Sequence, residues 1–275
     1  MSSNGAEGAT PPPTVAVVVP CYNSGPLVRE AVASALDQSH PAVEVTVVDD
    51  GSTDRETVRV LNTLDSAVQV ISQANAGAAA ARNSAIAASG AEFVLPLDAD
   101  DRLTPVAAEL GVRHLLADPD AGIVSGAVRL FGDQDGVRPC EFDGIESMLN
   151  GNKIPISTFR RADWAEVGGY PTEIRRGEDW AFWLRILRLG RTVVVVEDVC
   201  YEYRIWSRQE SAGTDPVASA EGSNFVMLEN RDLYAKQPDW LIDELAQQRL
   251  MLAQFRRTYG WQERTRAVLR RRLRR

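Results

Sequence analysis

Leu95-Pro-Leu-Asp-Ala-Asp-Asp101 is the stretch on which the reading of this chain turns. Three carboxylates, Asp98, Asp100 and Asp101, follow directly on the apolar run 93–97. An apolar run closed by a polar cluster is the pattern of a buried strand ending in a loop. In open α/β sheets ligands bind beyond the carboxyl ends of strands, so these acids stand where a site belongs. Like charges this close repel one another unless something positive holds them together. An oxygen-preferring divalent cation, Mn²⁺ or Mg²⁺, shared with substrate phosphates, answers that need. A solvated acidic turn is the plainer alternative. An EF-hand loop is excluded, because Leu103 stands where its sixth-position Gly is required and no third alternating acid follows Asp100.

Upstream, the same strand-then-polar-turn unit repeats. Val15-Ala-Val-Val-Val19 is a continuous β-branched run, the mark of a strand covered on both faces. It ends in Pro20-Cys-Tyr-Asn-Ser-Gly25, and helical spacing follows over 26–38, with Pro26 acceptable in a first turn. A second strand, 43–48, runs into Asp49-Asp-Gly-Ser-Thr-Asp54, then a helix with Val58, Leu61 and Leu64 on one face. A third strand, 68–71, leads through Asn75-Ala-Gly77 to an Ala-rich helix over 78–88 carrying Arg82 and Asn83. Arg82 either faces solvent or reaches the strand ends, where its guanidinium meets a phosphate or the carboxylates of Asp98 and Asp100. Strands and helices alternating at this spacing imply crossovers and a parallel, doubly wound sheet. The first turn lacks G-x-G-x-x-G, which excludes a dinucleotide-binding dehydrogenase.

Downstream the alternation changes. After a helix over 104–116, residues 123–131 and 137–142 around Asp133-Gln-Asp-Gly136 read as a hairpin. A strand over 154–160, a short helix over 161–167 stopped by Gly168-Gly169, and two strands over 193–197 and 199–204 follow, so the sheet becomes mixed. Between them Gly177-Glu-Asp-Trp180 opens a helix. Acids at a helix N-terminus are favoured by the macrodipole and by capping, which is one reading of Glu178 and Asp179. The neighbouring Trp180, Phe182 and Trp183 are either core or a platform for a sugar ring.

A chain of 275 residues with ordinary apolar content holds one good core with a small addition. Cys21, Cys140 and Cys200 are far apart without a C-x-x-C, which argues against a disulfide framework or zinc site and for a reducing compartment. Residues 1–13 read as a flexible tail, not a signal peptide, and no run approaches the ~18 apolar residues of a spanning helix. From 249 to 275 ten Arg face one Glu, a charge of +9, so the rest carries −17 of the net −8. A basic tail on an acidic body suits either an anionic membrane surface or a solvated arm; a nucleic-acid arm is the weakest reading, since the body would repel nucleic acid.

Taken together these stretches resemble family 2 glycosyltransferases, the large inverting group with the GT-A fold. Five motifs occur in order: Val18-Val-Pro-Cys-Tyr-Asn23, Val48-Asp-Asp-Gly-Ser-Thr-Asp54, Asn75 with Gly77 and Ala81-Arg-Asn83, Leu97-Asp-Ala-Asp-Asp101, and Gly177-Glu-Asp-Trp180. The resemblance implies a Rossmann-like mixed sheet flanked by helices over residues 14–215, with a nucleotide half (14–101) and an acceptor half (102–215). Residues 216–275 form a C-terminal helical extension. It further implies that Pro20, Tyr22, Asp50, Asn75, Gly77, Arg82 and Asp98 line the nucleotide pocket, Asp50 accepting from the base. Asp100, with Asp98, would bind Mn²⁺ or Mg²⁺. Asp179 would be the general base with Glu178 assisting, and Gly169, Tyr170 and Trp180 would border the donor sugar and acceptor. The implied reaction moves a sugar, from a UDP-linked donor in this reading, to a glycan, lipid-linked or small-molecule acceptor in the cytoplasm or at the inner membrane face. A non-catalytic sugar-nucleotide binding protein on the same fold is the rival. One departure is plain: where many relatives carry a metal-binding His, this chain has Trp206, and its two histidines, His40 and His114, are expected on the surface.

Overall fold

The computed structural model describes residues 11–206 and 215–239, together with 241–243, 245–247, 249–251, 253, 254 and 257. The chain forms two compact units, Met1–Val226 and Met227–Arg275. The first unit begins with β1 (Val15–Cys21), α1 (Leu27–Leu36), β2 (Val43–Asp49), α2 (Arg55–Leu61), β3 (Val68–Ser72), α3 (Ala78–Ala88) and β4 (Phe93–Pro96). β1 pairs in parallel with β2 and β4, and β2 with β3. Val15 to Val19 have no exposed surface. Their β-branched side chains are covered on both faces, as a central parallel strand requires. α1 packs Val28, Ala31, Val32 and Ala35 into this core, and the alanines of α3 (Ala79, Ala81, Ala85) leave only a methyl between helix and sheet.

The second half continues with β5 (Arg102–Leu103), α4 (Ala107–Ala117), β6 (Ala121–Gly132), β7 (Gly136–Arg138), β8 (Thr158–Arg160), α5 (Arg161–Glu166), α6 (Glu178–Arg188) and β9 (Thr192–Ile205). Strand order is β3-β2-β1-β4-β8-β6-β9-β5, with β7 paired to β6. β8 is antiparallel to both β4 and β6, whereas β6 and β9 run parallel, so the sheet is mixed as expected. α6 is buried nearly all round, from Trp180 to Leu184 and at Ile186 and Leu187. Phe159 of β8 meets Phe182 and Trp183 edge-on, with centroids 5.0 and 5.7 Å away. α7 (Pro216–Glu229) runs across the boundary at Val226, and α8 (Arg231–Tyr234) lies in the second unit.

Several expectations need correction. On α2 the buried face is Thr57, Val60 and Leu61, and Val58 is exposed, because the helix is only seven residues long and ends before Leu64. The stretch 192–205 is one strand, not two; Glu197 and Asp198 fall in a bulge where the register against β6 shifts. Gly126 permits that bulge, since a Cβ there would collide with Cys200 and the Asp198 carbonyl. The hairpin's return strand is only Gly136–Arg138, and the strand over 154–160 shrinks to Thr158–Arg160 behind a 3-10 turn at Ile145–Asn150. His40 is buried, its Nε2 2.8 Å from the Pro13 carbonyl oxygen. No helix among the described residues is long and apolar enough to cross a membrane. Most of the basic tail (249–275) and residues 1–10 of the N-terminal stretch lie outside the described residues.

Candidate functional site

Three loops at the carboxyl ends of the parallel strands are tied to one another before they reach the site. Asn23, in the left-handed region at φ 50°, accepts at Oδ1 from the Thr53 and Asp54 amides at 2.8 and 2.9 Å, joining the β1 loop to the β2 loop. Asn tolerates this conformation where most side chains do not. Asp50, 3 % exposed, joins the β2 loop to the next. Its Oδ1 accepts from Gln73 Nε2 and the Ala76 amide, and its Oδ2 from the Gly77 amide, at 2.8 to 2.9 Å. Gly51, at φ 73°, makes room for this, since a Cβ there would come within 2.8 Å of the Asn75 amide nitrogen. Asp50 therefore holds the 75–77 loop in shape, while Tyr22, half exposed, presents its ring to solvent.

Beyond β4 the acidic loop is clamped from the other half of the sheet. Asp101 is 1 % exposed, and its carboxylate accepts from the Tyr201 hydroxyl and the Arg204 amide, both at 2.7 Å. Tyr201 OH also accepts from the Asp98 amide, at 3.3 Å. Arg204 donates from Nε to the Asp100 carbonyl and from Nη2 to Glu30, with its guanidinium over Phe131 and Trp206. Burial, and then the Asp98 charge, push the Asp101 carboxyl up to about 8. The same two causes, in the same order, raise Asp100.

Arg82 connects this loop to α6. Its Nη2 meets Asp98 Oδ1 at 2.7 Å and its Nη1 meets Glu178 Oε1 at 3.1 Å, with the side chain only 6 % exposed. Burial opposes the guanidinium's charge, but Asp98, Tyr170 and Glu178 together hold it charged well above the usual range. Tyr170 lies beneath, its ring 5.5 Å from Arg82 Cζ and stacked on Phe182. Asn83, next on α3, pins the loop before Tyr170: its Oδ1 accepts from the Trp164 indole and the Tyr170 amide, and its Nδ2 donates to the Tyr170 carbonyl. Gly169, at φ 82°, leaves space for that amide, since a Cβ would stand 2.7 Å from Asn83 Oδ1.

Asp179 sits in the first turn of α6, preceded by Gly177 at φ 75°. Its Oδ1 accepts from the Trp180 amide at 2.7 Å and its Oδ2 from Asn152 Nδ2 at 2.9 Å. Burial, then the Glu178 charge, push its carboxyl up to about 6, while Arg82 pulls it back. Trp180 is 8 % exposed and donates from its indole to the Met148 carbonyl, bracing the 3-10 turn that delivers Asn152.

One cavity of about 1300 Å³ collects these groups: Pro20, Tyr22, Asp50, Arg82, Asp98 and Asp100 from α3 and the loops after β1, β2 and β4, and Glu178 and Asp179 from α6. Asn75, Gly77, Gly169, Tyr170 and Trp180 do not line it; Tyr170 and Trp180 are buried, whereas Asn75 is exposed. Asn152 and Tyr201 carry no signal in the sequence, nor does the clamp that Tyr201 and Arg204 place on Asp101. Their partners lie 27 to 103 residues away in the chain, and no local pattern announces such pairs.

Among the described residues no cluster of three or more His, Cys, Asp or Glu is arranged to hold a metal ion. Asp98 and Asp100 supply hard carboxylate oxygens on the cavity wall. That pair fits an ion of the Mg²⁺ or Mn²⁺ kind, which keeps several waters and fills the rest of its shell from substrate phosphates.

Residues 16–166 match the family model described as glycosyl transferase family 2. The chain is 28 % identical over 243 residues to the putative teichuronic acid biosynthesis glycosyltransferase TuaG of Bacillus subtilis, covering 85 % of this chain and 95 % of that protein. Among solved structures, S. aureus TarS 1-349 aligns with a TM-score of 0.58 at 25 % identity, over 70 % of this chain and 60 % of that one. A mannosyltransferase of Pyrobaculum calidifontis, solved with GDP-Man and Mn²⁺, aligns with a TM-score of 0.57 at 27 % identity, over 72 % and 58 % respectively. This chain thus spans less than two thirds of either solved chain.

Proposed function

The chain belongs to glycosyl transferase family 2 and has the GT-A fold, and from that premise we propose an inverting transfer of a sugar from a nucleoside diphosphate, UDP in our reading, to an acceptor hydroxyl. The observation that carries this reading is one cavity lined by Asp98, Asp100 and Asp179 together, with Arg82 bonded both to Asp98 and to Glu178 beside the base. Residues 14–215 are taken as the transferase domain. The TuaG likeness supports a role in cell-envelope polysaccharide synthesis.

Asp179 is the general base. Its first oxygen is held by its own helix turn and its second by Asn152, so one lone-pair direction on each is left for an acceptor hydroxyl. A carboxyl poised near 6 is ionised at neutral pH yet basic enough to take a proton in the transition state, worth about 10²–10⁴-fold. Glu178 is engaged by Arg82, so it orients and does not abstract. A single displacement at the anomeric carbon inverts its configuration. The donor's diphosphate lies toward Asp98 and Asp100, and its nucleoside toward Pro20 and Tyr22, whose exposed ring can stack a base.

A divalent ion held by Asp98 and Asp100, when bound, neutralises the charge of the leaving diphosphate. Mn²⁺ in the mannosyltransferase relative supports that role. With Trp206 in place of a histidine, the ion depends on the donor. Titrating Mn²⁺ into the protein should show weak binding alone and tight binding with UDP. Equally tight binding to the protein alone contradicts this.

The decisive test is transfer from UDP-sugars and GDP-sugars in the presence of Mn²⁺. Turnover with one base and none in Asp179→Asn supports the reading; nucleotide binding without any turnover supports a sugar-nucleotide binding protein. The Arg-rich tail is proposed to reach anionic membranes, tested by vesicle sedimentation of the full chain against one ending at Gln248.

A further inference from the structure

Two groups of arginines stand out in the first unit. Arg82, Arg102, Arg129, Arg191 and Arg204 each meet a carboxylate. Arg138, Arg175 and Arg176 line the cavity, and among the described residues none of them forms an ion pair or a side-chain hydrogen bond. Lys153 joins them on the wall, with only a loose contact, 3.8 Å, to Glu141.

Three of the four flank the base: Lys153 directly follows Asn152, which holds Asp179, and Arg175 and Arg176 lead into Gly177 and α6. Arg138 ends β7, opposite Val128 of β6, which in turn faces Tyr201 of β9. Arg82, by contrast, is bonded to two carboxylates. The body of the protein before the tail is strongly acidic, so three unneutralised guanidiniums in one cavity are not a background of surface charge. Guanidinium groups are suited to carboxylate and phosphate oxygens, which they can grip through two parallel hydrogen bonds.

We propose that the acceptor is an anionic glycan, bearing carboxylate or phosphate groups, and that Arg138, Arg175 and Arg176, with Lys153, form the subsite that holds its charge beside Asp179. The inference rests on the transferase reading above, because the molecule that gives its proton to Asp179 must lie on Asp179's side of the cavity. The acid groups of the acceptor then face Arg138 and the 175–176 pair while its hydroxyl faces the base. A charged neighbour sugar, rather than the reacting one, makes these contacts, so the subsite selects among acceptors without entering the chemistry.

The test uses the full chain with UDP and Mn²⁺ and three probes: a glucuronate-containing hexasaccharide, an oligomeric polyol phosphate and a neutral N-acetylglucosamine hexasaccharide. Affinity is measured by calorimetry on the unaltered protein and on an Arg138→Gln, Arg175→Gln double variant. Both residues are exposed and partnerless, so the fold stands without them. The expected result is that one or both charged probes bind at least tenfold more tightly than the neutral one, with the advantage shrinking in salt. The double variant should reduce that advantage by about tenfold while UDP affinity is unchanged. Which charged probe gains tells carboxylate from phosphate. Equal binding of all three probes overturns the proposal. So does an advantage that survives in the double variant, which would assign it to the Arg-rich tail. Loss of UDP affinity in the double variant also overturns it, by giving these arginines to the donor. Failure of UDP and GDP to bind at all, with charge selectivity intact, would instead remove the transferase reading and leave the subsite standing.

Discussion

The two walls of the cavity are built on opposite principles. The Asp98–Asp101 wall is cross-braced: Asp101 is gripped by Tyr201 and Arg204, Asp98 by Arg82, and Arg204 also reaches Glu30 on α1. The Asp179 wall hangs on the first turn of a core helix and one amide from Asn152, and among the described residues the guanidiniums of Arg175 and Arg176 leading into it form no ion pair. One wall is braced because Asp98 and Asp101 are held internally. The other keeps charges available, as a wall that must receive changing groups requires. Arg82 is the strut between them, and its unpaired Nε, buried with no partner, shows that its position is set by the two carboxylates and not by its own full satisfaction.

The contrast can be broken or sharpened by substitution. The largest effect on stability is expected from Arg82→Met, which leaves Glu178 and part of Asp98 charged and unpaired; about 3 kcal/mol should be lost in urea unfolding, allowing for the one-third exposure of Asp98. A loss below 1 kcal/mol would mean the walls stand independently. Next, Asp101→Ala strips partners from the buried Tyr201 hydroxyl and the Arg204 amide and should cost about 2 kcal/mol. Gly177→Ala meets no atom closer than 3.9 Å, so only its left-handed backbone resists, at about 1 kcal/mol, with the loss showing in turnover as Asp179 shifts.

The smallest effect is the most specific to the looser wall. Since the Asp179 carboxyl is raised to about 6 and must be ionised to act, kcat/KM should rise with pH through about 6 and fall below it. Asn152→Ala removes a donor that favours the ionised form, so that acid limb should move to higher pH. An unmoved limb would detach Asn152 from the base.

The same contrast explains what could be read without coordinates. The braced wall stands on β1, β2 and β4, whose unbroken apolar runs and following acids lie side by side in sequence, so strand, turn and candidate site were legible together. Arg82 was ambiguous because a helix of alanines does not tell which way one long side chain points; burial against Asp98 and Glu178 decided it. β9 was split because Glu197 and Asp198 look like a break, whereas a bulge opposite Gly126 absorbs them. Trp180 reads from sequence as either core or sugar platform, and the resemblance sets Tyr170 beside donor and acceptor; both are buried, one against Met148 and one under Arg82. Asn152 and Tyr201 could not be found, because their roles exist only once distant strands are in register.

The account is tested most directly by one paired measurement: calorimetric UDP binding with Mn²⁺, together with sugar transfer, in Asp100→Asn and Asp179→Asn. It predicts that Asp100→Asn loses the Mn²⁺-dependent gain in UDP affinity, whereas Asp179→Asn binds UDP as the unaltered protein does and transfers no sugar. Retained transfer in Asp179→Asn, or Mn²⁺-dependent UDP binding undiminished in Asp100→Asn, would contradict it.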